Sequence, residues 1–171
     1  MFALRCTQKL LDRINLPPDP EPVPTDTVLG DWYANLVRVG RTQLVLAVSE
    51  RTLLPVVVPA REGRTMARRV AEAIEPILSA IGVPTDAVNA ERQAMRDVVI
   101  VKTASRRVLG SLNDLAFQLQ VGLQHFPDRP LLSQSLWLAQ TPLKLIEHTS
   151  PDRATLAAFA AHEAVHRAAG R

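Results

Sequence analysis

The chain is short of cysteine, lysine, glycine, aromatic residues and long apolar runs, and each shortage excludes something. Cys6 is the sole cysteine among 171 residues, so no internal disulfide can form, and a reducing, cytoplasmic setting is expected. No apolar run approaches the roughly 20 residues that span a bilayer. Arg5 and Lys9 interrupt the start too early for a signal-peptide core. Aromatic residues make up only 4%, which leaves little with which to build a base-stacking platform. Among the seven glycines there is no Gly-x4-Gly-Lys run, so a phosphate-binding P-loop is excluded. With 47% hydrophobic and 22% charged residues, the composition is that of a globular chain, not a disordered one. Its length suits one domain with a core that needs no disulfide or metal.

What the chain has in quantity is arginine, alanine and proline. The net charge is +3 and the pI about 9.6, yet only Lys9, Lys102 and Lys144 are lysines. A basic pI points to nucleic acid only when the charge gathers on one face. Arg61, Arg64, Arg68 and Arg69 form one cluster, diluted by Glu62, and Arg92, Arg96, Lys102, Arg106 and Arg107 form a looser one. Nucleic acid is therefore carried as an alternative partner and not as the leading one.

Apolar periodicity gives the elements. Residues 3–6 read as a short strand, followed by a helical turn over Gln8–Ile14 with Leu10, Leu11 and Ile14 on one side. Five prolines between Pro17 and Pro24 forbid helix and sheet there and predict an extended connector. From Trp32 the residues alternate as a strand, Gly40-Arg41 supplies a two-residue hairpin, and Gln43–Val48 returns. After the polar turn Ser49–Thr52, Pro55 and Pro59 bracket a third strand and place it at a sheet edge or confine it to a short central run. The spacing predicts a helix over 62–81, with Met66, Val70, Ile74, Ile77, Leu78 and Ile81 on its apolar stripe. Pro76 should kink that helix or divide it near Glu75. A short helix runs from Thr85 or Asp86 to about Met95. Residues 97–102 are apolar on both faces and read as a central strand. Ser105 caps a long helix carrying Val108, Leu112, Leu115, Leu119 and Leu123. Leu131–Leu138 is a further helix, and Ser150-Pro151 opens an alanine-rich one to about Ala168.

Three groups of residues could carry chemistry. The strand-to-helix corner from Lys102-Thr103 through Arg106 to Asn113-Asp114 brings cations to a helix N-terminus, where free N–H groups favour an anion. Arg106, Gly110, Asn113 and Asp114 follow one stripe of that helix. The second group, Asp31, Asn35, Glu50 and Arg51, lies in the strand meander. An unpaired amide at Asn35 would cost about 1–3 kcal/mol if buried, so Asn35 requires a partner or a cavity. Together Lys102, Thr103, Arg106, Asn113, Asp114, Asn35, Glu50 and Arg51 are the candidate site for an anionic ligand. The third group is His162-Glu163-Ala164-Val165-His166, which matches H-E-x-x-H. On a helix that spacing puts two imidazoles on one face, beside a glutamate able to activate a zinc-bound water. A third ligand is expected from well downstream, and only five residues follow His166. A zinc hydrolase built on His162, Glu163 and His166 is thus the weaker alternative, and neither a metal nor a cofactor is expected.

The strings Leu29–Leu36 (LGDWYANL), Ser49–Arg61 (SERTLLPVVVPAR) and Lys102–Asp114 (KTASRRVLGSLND) belong together. They resemble a family of short uncharacterised bacterial proteins catalogued only as a domain of unknown function. The resemblance covers about residues 1–150 and leaves the H-E-x-x-H string outside. It implies no activity, cofactor or catalytic residue.

The expected fold is a single α+β domain over residues 1–150. An antiparallel or mixed sheet is formed by the 32–59 meander, the 97–102 strand and the N-terminal strand. Helices 64–81 and 105–124 cover one face, and an alanine-rich helix over 151–171 is appended. The expected function is that of a non-enzymatic, cytoplasmic binding or accessory protein that acts through a protein partner or a small anionic ligand.

Overall fold

The fold is described from a computed structural model for residues 1–20, 24–61 and 63–169. Glu21–Val23 of the proline-rich connector, and Glu62 at the expected start of the second helix, lie outside the described residues. Five strands form one sheet: β1 (Phe2–Cys6), β2 (Trp32–Val39), β3 (Thr42–Ser49), β4 (Pro55–Pro59) and β5 (Val98–Lys102), in the order β4-β3-β2-β1-β5. The meander β2–β3–β4 is antiparallel, with Val39 opposite Thr42 across the Gly40-Arg41 turn. Gly40 sits at φ +58°, a conformation that glycine adopts without Cβ strain. β1 pairs in parallel with β2 on one side and β5 on the other. The sheet is therefore mixed and the chain is an α+β domain.

The helices are α1 (Gln8–Ile14), α2 (Met66–Ile81), α3 (Thr85–Ala94), α4 (Arg106–His125), α5 (Leu131–Leu138) and α6 (Pro151–Ala169). They cover both faces of the sheet rather than one. Val70, Ile74, Ile77 and Leu78 of α2 pack with α1 and α3 on the face carrying Phe2, Leu4, Trp32, Val45 and Val56. Val108, Leu112, Leu115 and Leu119 of α4 pack on the other face, against Tyr33, Val37, Leu44, Leu46 and Val57. At about 25 cal/mol per Å² of apolar surface, each fully buried leucine contributes about 2 kcal/mol. Strand period 2 explains the arrangement. Every second meander residue is apolar on each face, so two layers of helices are needed to keep water off both.

Two further expectations change. The 97–102 strand is the last in the sheet order, not a central one. Its residues are apolar on both sides because both faces are covered, a property independent of having a neighbour at each edge. α2 also runs as one uninterrupted helix through Pro76, so it is not divided near Glu75.

Both sheet edges carry a hydrogen bond from another part of the chain. The Val57 N–H of β4 donates to Ser135 Oγ of α5 at 3.0 Å, and the Ile100 carbonyl of β5 accepts the Asp19 N–H at 2.7 Å. α6 is anchored over its first turns, where Pro151, Thr155 and Phe159 are buried, while residues 160–169 are exposed. Thr155 donates to Thr52 Oγ1 at 2.9 Å, and Thr52 shares a 2.7 Å hydroxyl contact with Ser49. A buried chain of three hydroxyls thus ties α6 to the turn between β3 and β4.

Candidate functional site

The parallel strands carry a buried polar line. Register places Arg5 of β1 between Tyr33 of β2 and Val101 of β5. Arg5 pairs with Asp31 at 2.8 Å, with side chains only 15% and 5% exposed. The guanidinium lies 5.8 Å from the centre of the Tyr33 ring. The Tyr33 hydroxyl accepts the Ser105 N–H at 3.3 Å and donates to Glu50 Oε1 at 3.4 Å. Burial, followed by the neighbouring Glu50 charge, raises the Tyr33 pKa above its ordinary value. Ser105 caps α4 in turn by accepting the Val108 N–H at 3.3 Å. This line joins β1, β2 and the entry to α4.

The carboxyl ends of β1 and β5 lie side by side, with Cys6 opposite Lys102. The chain leaves β1 into α1 on one face and leaves β5 into α4 on the other, the strand arrangement at which open sheets tend to bind ligands. A hollow of about 370 Å³ is found there, lined by Arg5, Pro18, Asp19, Pro20, Val101 and Lys102. Its charges balance, because Asp31 already holds Arg5 and Asp19 shares the hollow with Lys102.

The eight anticipated site residues do not converge. Lys102 alone lines that hollow. Arg106, Asn113 and Asp114 stand on the exposed face of α4, opposite its leucine stripe, and Gly110 among them faces open space. Thr103 is half-buried between β5 and α4. Asn35 finds the partner it requires in Thr7, whose hydroxyl bonds its Oδ1 at 2.8 Å. Glu50 meets Tyr33. Arg51 donates to the Thr27 and Val28 carbonyls at 3.3 and 3.1 Å, across the backbone of Gly30 at φ +79°. These two side chains tie the β3–β4 turn to β2 and to the segment before it.

A second cleft gathers cations from both of the arginine clusters in the sequence. Arg68, Glu72 and Glu75 of α2, Arg92 of α3, Arg96 just beyond it, and Val98 of β5 line a space of about 400 Å³, with Ala71 and Met95 completing it. Arg68 approaches Glu72 at 3.4 Å, and Arg92 approaches Glu75 at 3.6 Å. All four side chains are more than two-fifths exposed, so these pairs are worth little and yield readily to another anion. Arg96 has no carboxylate partner among the described residues. Sequence reading placed Arg68 in one group and Arg92 and Arg96 in another, 24 residues apart at the nearest, from 68 to 92. The antiparallel return of α3 along α2 brings them together, and no local pattern announces it.

His162 and His166 share one helix face as the spacing predicts, with ring centres 4.4 Å apart. Both are exposed, Glu163 pairs with Arg167, and among the described residues no three His, Cys, Asp or Glu side chains are grouped to hold a metal ion. The two histidines and Glu163 line a groove of about 400 Å³ with Phe159, Pro84, Ala87, Ala90 and Glu91. Glu91, missed in the sequence, is 2% exposed and accepts the Val28 and Leu29 N–H groups at 2.7 and 3.0 Å. Burial nevertheless raises its pKa above the usual carboxylate range. The Cys6 thiol, also buried, is pushed up to about 12 and is no nucleophile.

Taken together, a mixed five-stranded sheet between helical layers defines a single-domain α+β protein. Residues 3–154 match the model of the family described as "Domain of unknown function (DUF6933)". The chain belongs to that family. No curated protein and no solved structure matches it. No helix among the described residues is long and apolar enough to cross a membrane.

Proposed function

We propose that the protein is a non-enzymatic, cytoplasmic binding protein that holds a small anionic ligand in the cleft between α2 and α3. One observation carries this reading: Arg68, Arg92 and Arg96 meet in a single space of about 400 Å³ against only two carboxylates. Guanidinium groups present planar pairs of donors that suit carboxylate and phosphate oxygens. Glu72 and Glu75 in the same cleft would repel a continuous phosphate backbone, which argues against nucleic acid as the occupant. The single cysteine, kept reduced and buried, supports the cytoplasmic assignment. The test is titration of the full chain with inorganic phosphate and with sodium hexanoate, followed by amide chemical shifts. Saturable binding of at least one anion, lost in Arg92→Ala/Arg96→Ala and kept in Lys102→Ala, is the expected result. Binding of neither anion, or binding that survives the double substitution, overturns it.

A second reading, docking of a protein partner, is supported by one exposed aromatic group. Phe126 and Trp137 are 55% and 40% exposed, and the Arg129 guanidinium lies 4.3 and 5.6 Å from their ring centres. Affinity capture from a bacterial lysate that is lost in Phe126→Ser/Trp137→Ser would favour it over the anion reading.

A further inference from the structure

We propose that the cleft between α2 and α3 selects an amphipathic monoanion: one carboxylate on a short aliphatic body, as in a medium-chain fatty acid. The proposal rests on the anion-binding reading above and adds what lies behind the charged group. Charge is the first argument. Three guanidinium groups face two carboxylates, and Arg68 and Arg92 each already have a glutamate neighbour. The surplus is the single cation of Arg96, which matches one negative charge. A second negative charge on the ligand would have to sit beside Glu72 and Glu75 at a Coulombic cost.

The floor of the cleft is the second argument. Ala71, Met95 and Val98 line it together, with Met95 only 3% exposed. Val98 and Ala71 are half-buried members of the apolar layer beneath α2. A hydrated inorganic anion would leave this apolar surface wet. An aliphatic chain would cover it and gain about 25 cal/mol for each Å² removed from water. The unbranched methionine side chain adapts to a flexible occupant, and the aliphatic stems of the three arginines extend the apolar walls toward the charged rim. Size is the third argument, since about 400 Å³ lies in the range that encloses a small organic molecule.

The experiment compares three probes on the full chain: sodium hexanoate, inorganic phosphate and 1-hexanol. Hexanoate should bind saturably and at least about tenfold more tightly than either other probe, because only it satisfies both rim and floor. Its amide shifts should centre on Ala71, Met95 and Val98. Arg96→Ala should weaken hexanoate by about tenfold or more while leaving thermal unfolding unchanged, since Arg96 is exposed. Ala71→Glu, which places a carboxylate on the floor, should abolish binding. Phosphate binding as tight as hexanoate, with both lost in Arg96→Ala, would keep the anion reading and overturn the amphipathic one. Hexanol binding as tight as hexanoate would also overturn it. No saturable binding of any probe would overturn both readings.

Discussion

Asp31 holds β1 with both carboxylate oxygens: Oδ1 accepts the Ala3 N–H at 3.1 Å, and Oδ2 accepts Arg5 Nε at 2.9 Å. The residue just before β2 therefore fixes both the position of β1 and the one charge that points inward from it. Asp31→Asn should destabilise the fold by about 3 kcal/mol, because removing one partner leaves a buried charge uncompensated. Arg5→Met together with Asp31→Asn should recover much of that loss. Urea denaturation of the single and double variants measures both effects; equal stability of wild type and Asp31→Asn would show that the pair is idle.

Glu91 gives the stability a pH dependence of definite sign. Its folded pKa is raised, so the native state keeps a proton that the unfolded chain has already released. The associated stability is present below the ordinary glutamate value and is lost as pH rises through the folded value. Glu91→Gln should flatten this part of the profile. At neutral pH it should cost about 1–3 kcal/mol, because one amide oxygen cannot replace both carboxylate oxygens toward Val28 and Leu29. Urea midpoints across the acid-to-neutral range provide the measurement.

At alkaline pH the relevant group is Cys6. With its thiol raised to about 12, the unfolded state ionises first, and stability should fall between about pH 9 and 12 by up to ~1.4 kcal/mol per pH unit from this group alone. Cys6→Ala should remove that component of the slope. In the native state Cys6 should resist a maleimide reagent and react only at the rate of unfolding. Rapid labelling under native conditions would contradict its burial.

α6 should divide functionally at Phe159. The side chains of 161–169 are all exposed, so removing residues 161–171 should leave thermal unfolding unchanged. Removing 151–171 also takes Phe159 from the core and Thr155 from Thr52. That larger deletion should lower stability by about 3–5 kcal/mol, the usual cost of losing a buried aromatic side chain. Two truncations compared by differential scanning calorimetry suffice.

Much of this architecture was legible because strand and helix periods are local. The Trp32–Pro59 meander, its hairpin at Gly40-Arg41 and the Ser105 cap all follow from neighbouring residues. What was misplaced depends on long-range pairing. Val98, Ile100 and Val101 are apolar toward both helical layers, and nothing in that pattern tells whether a strand has one neighbour or two. The candidate site failed for a different reason. Arg106, Gly110, Asn113 and Asp114 do share a stripe, but it is the stripe opposite Val108, Leu112, Leu115 and Leu119, and so faces water. The stronger clue was Arg5, a charge within an otherwise apolar strand, which demanded the buried acid found at Asp31. The arginine cleft left no local trace, because Arg68 and Arg96 meet only through the packing of α2 and α3 against β5.

The hydrogen bonds at the two sheet edges bear on how the sheet could be extended. An open strand edge is a template on which another chain can extend the sheet, and repeated addition ends in fibrils. Here the β4 amide of Val57 is already taken by Ser135, and Pro55 and Pro59 bracket the strand without donors of their own. On the opposite side the Asp19 amide takes the Ile100 carbonyl, while Pro18 and Pro20 beside it have no amide to offer an incoming strand. Pro18 and Pro20, which look like part of a mere connector in the sequence, thus flank the hydrogen bond that covers β5 at Ile100, as Ser135 covers β4 at Val57.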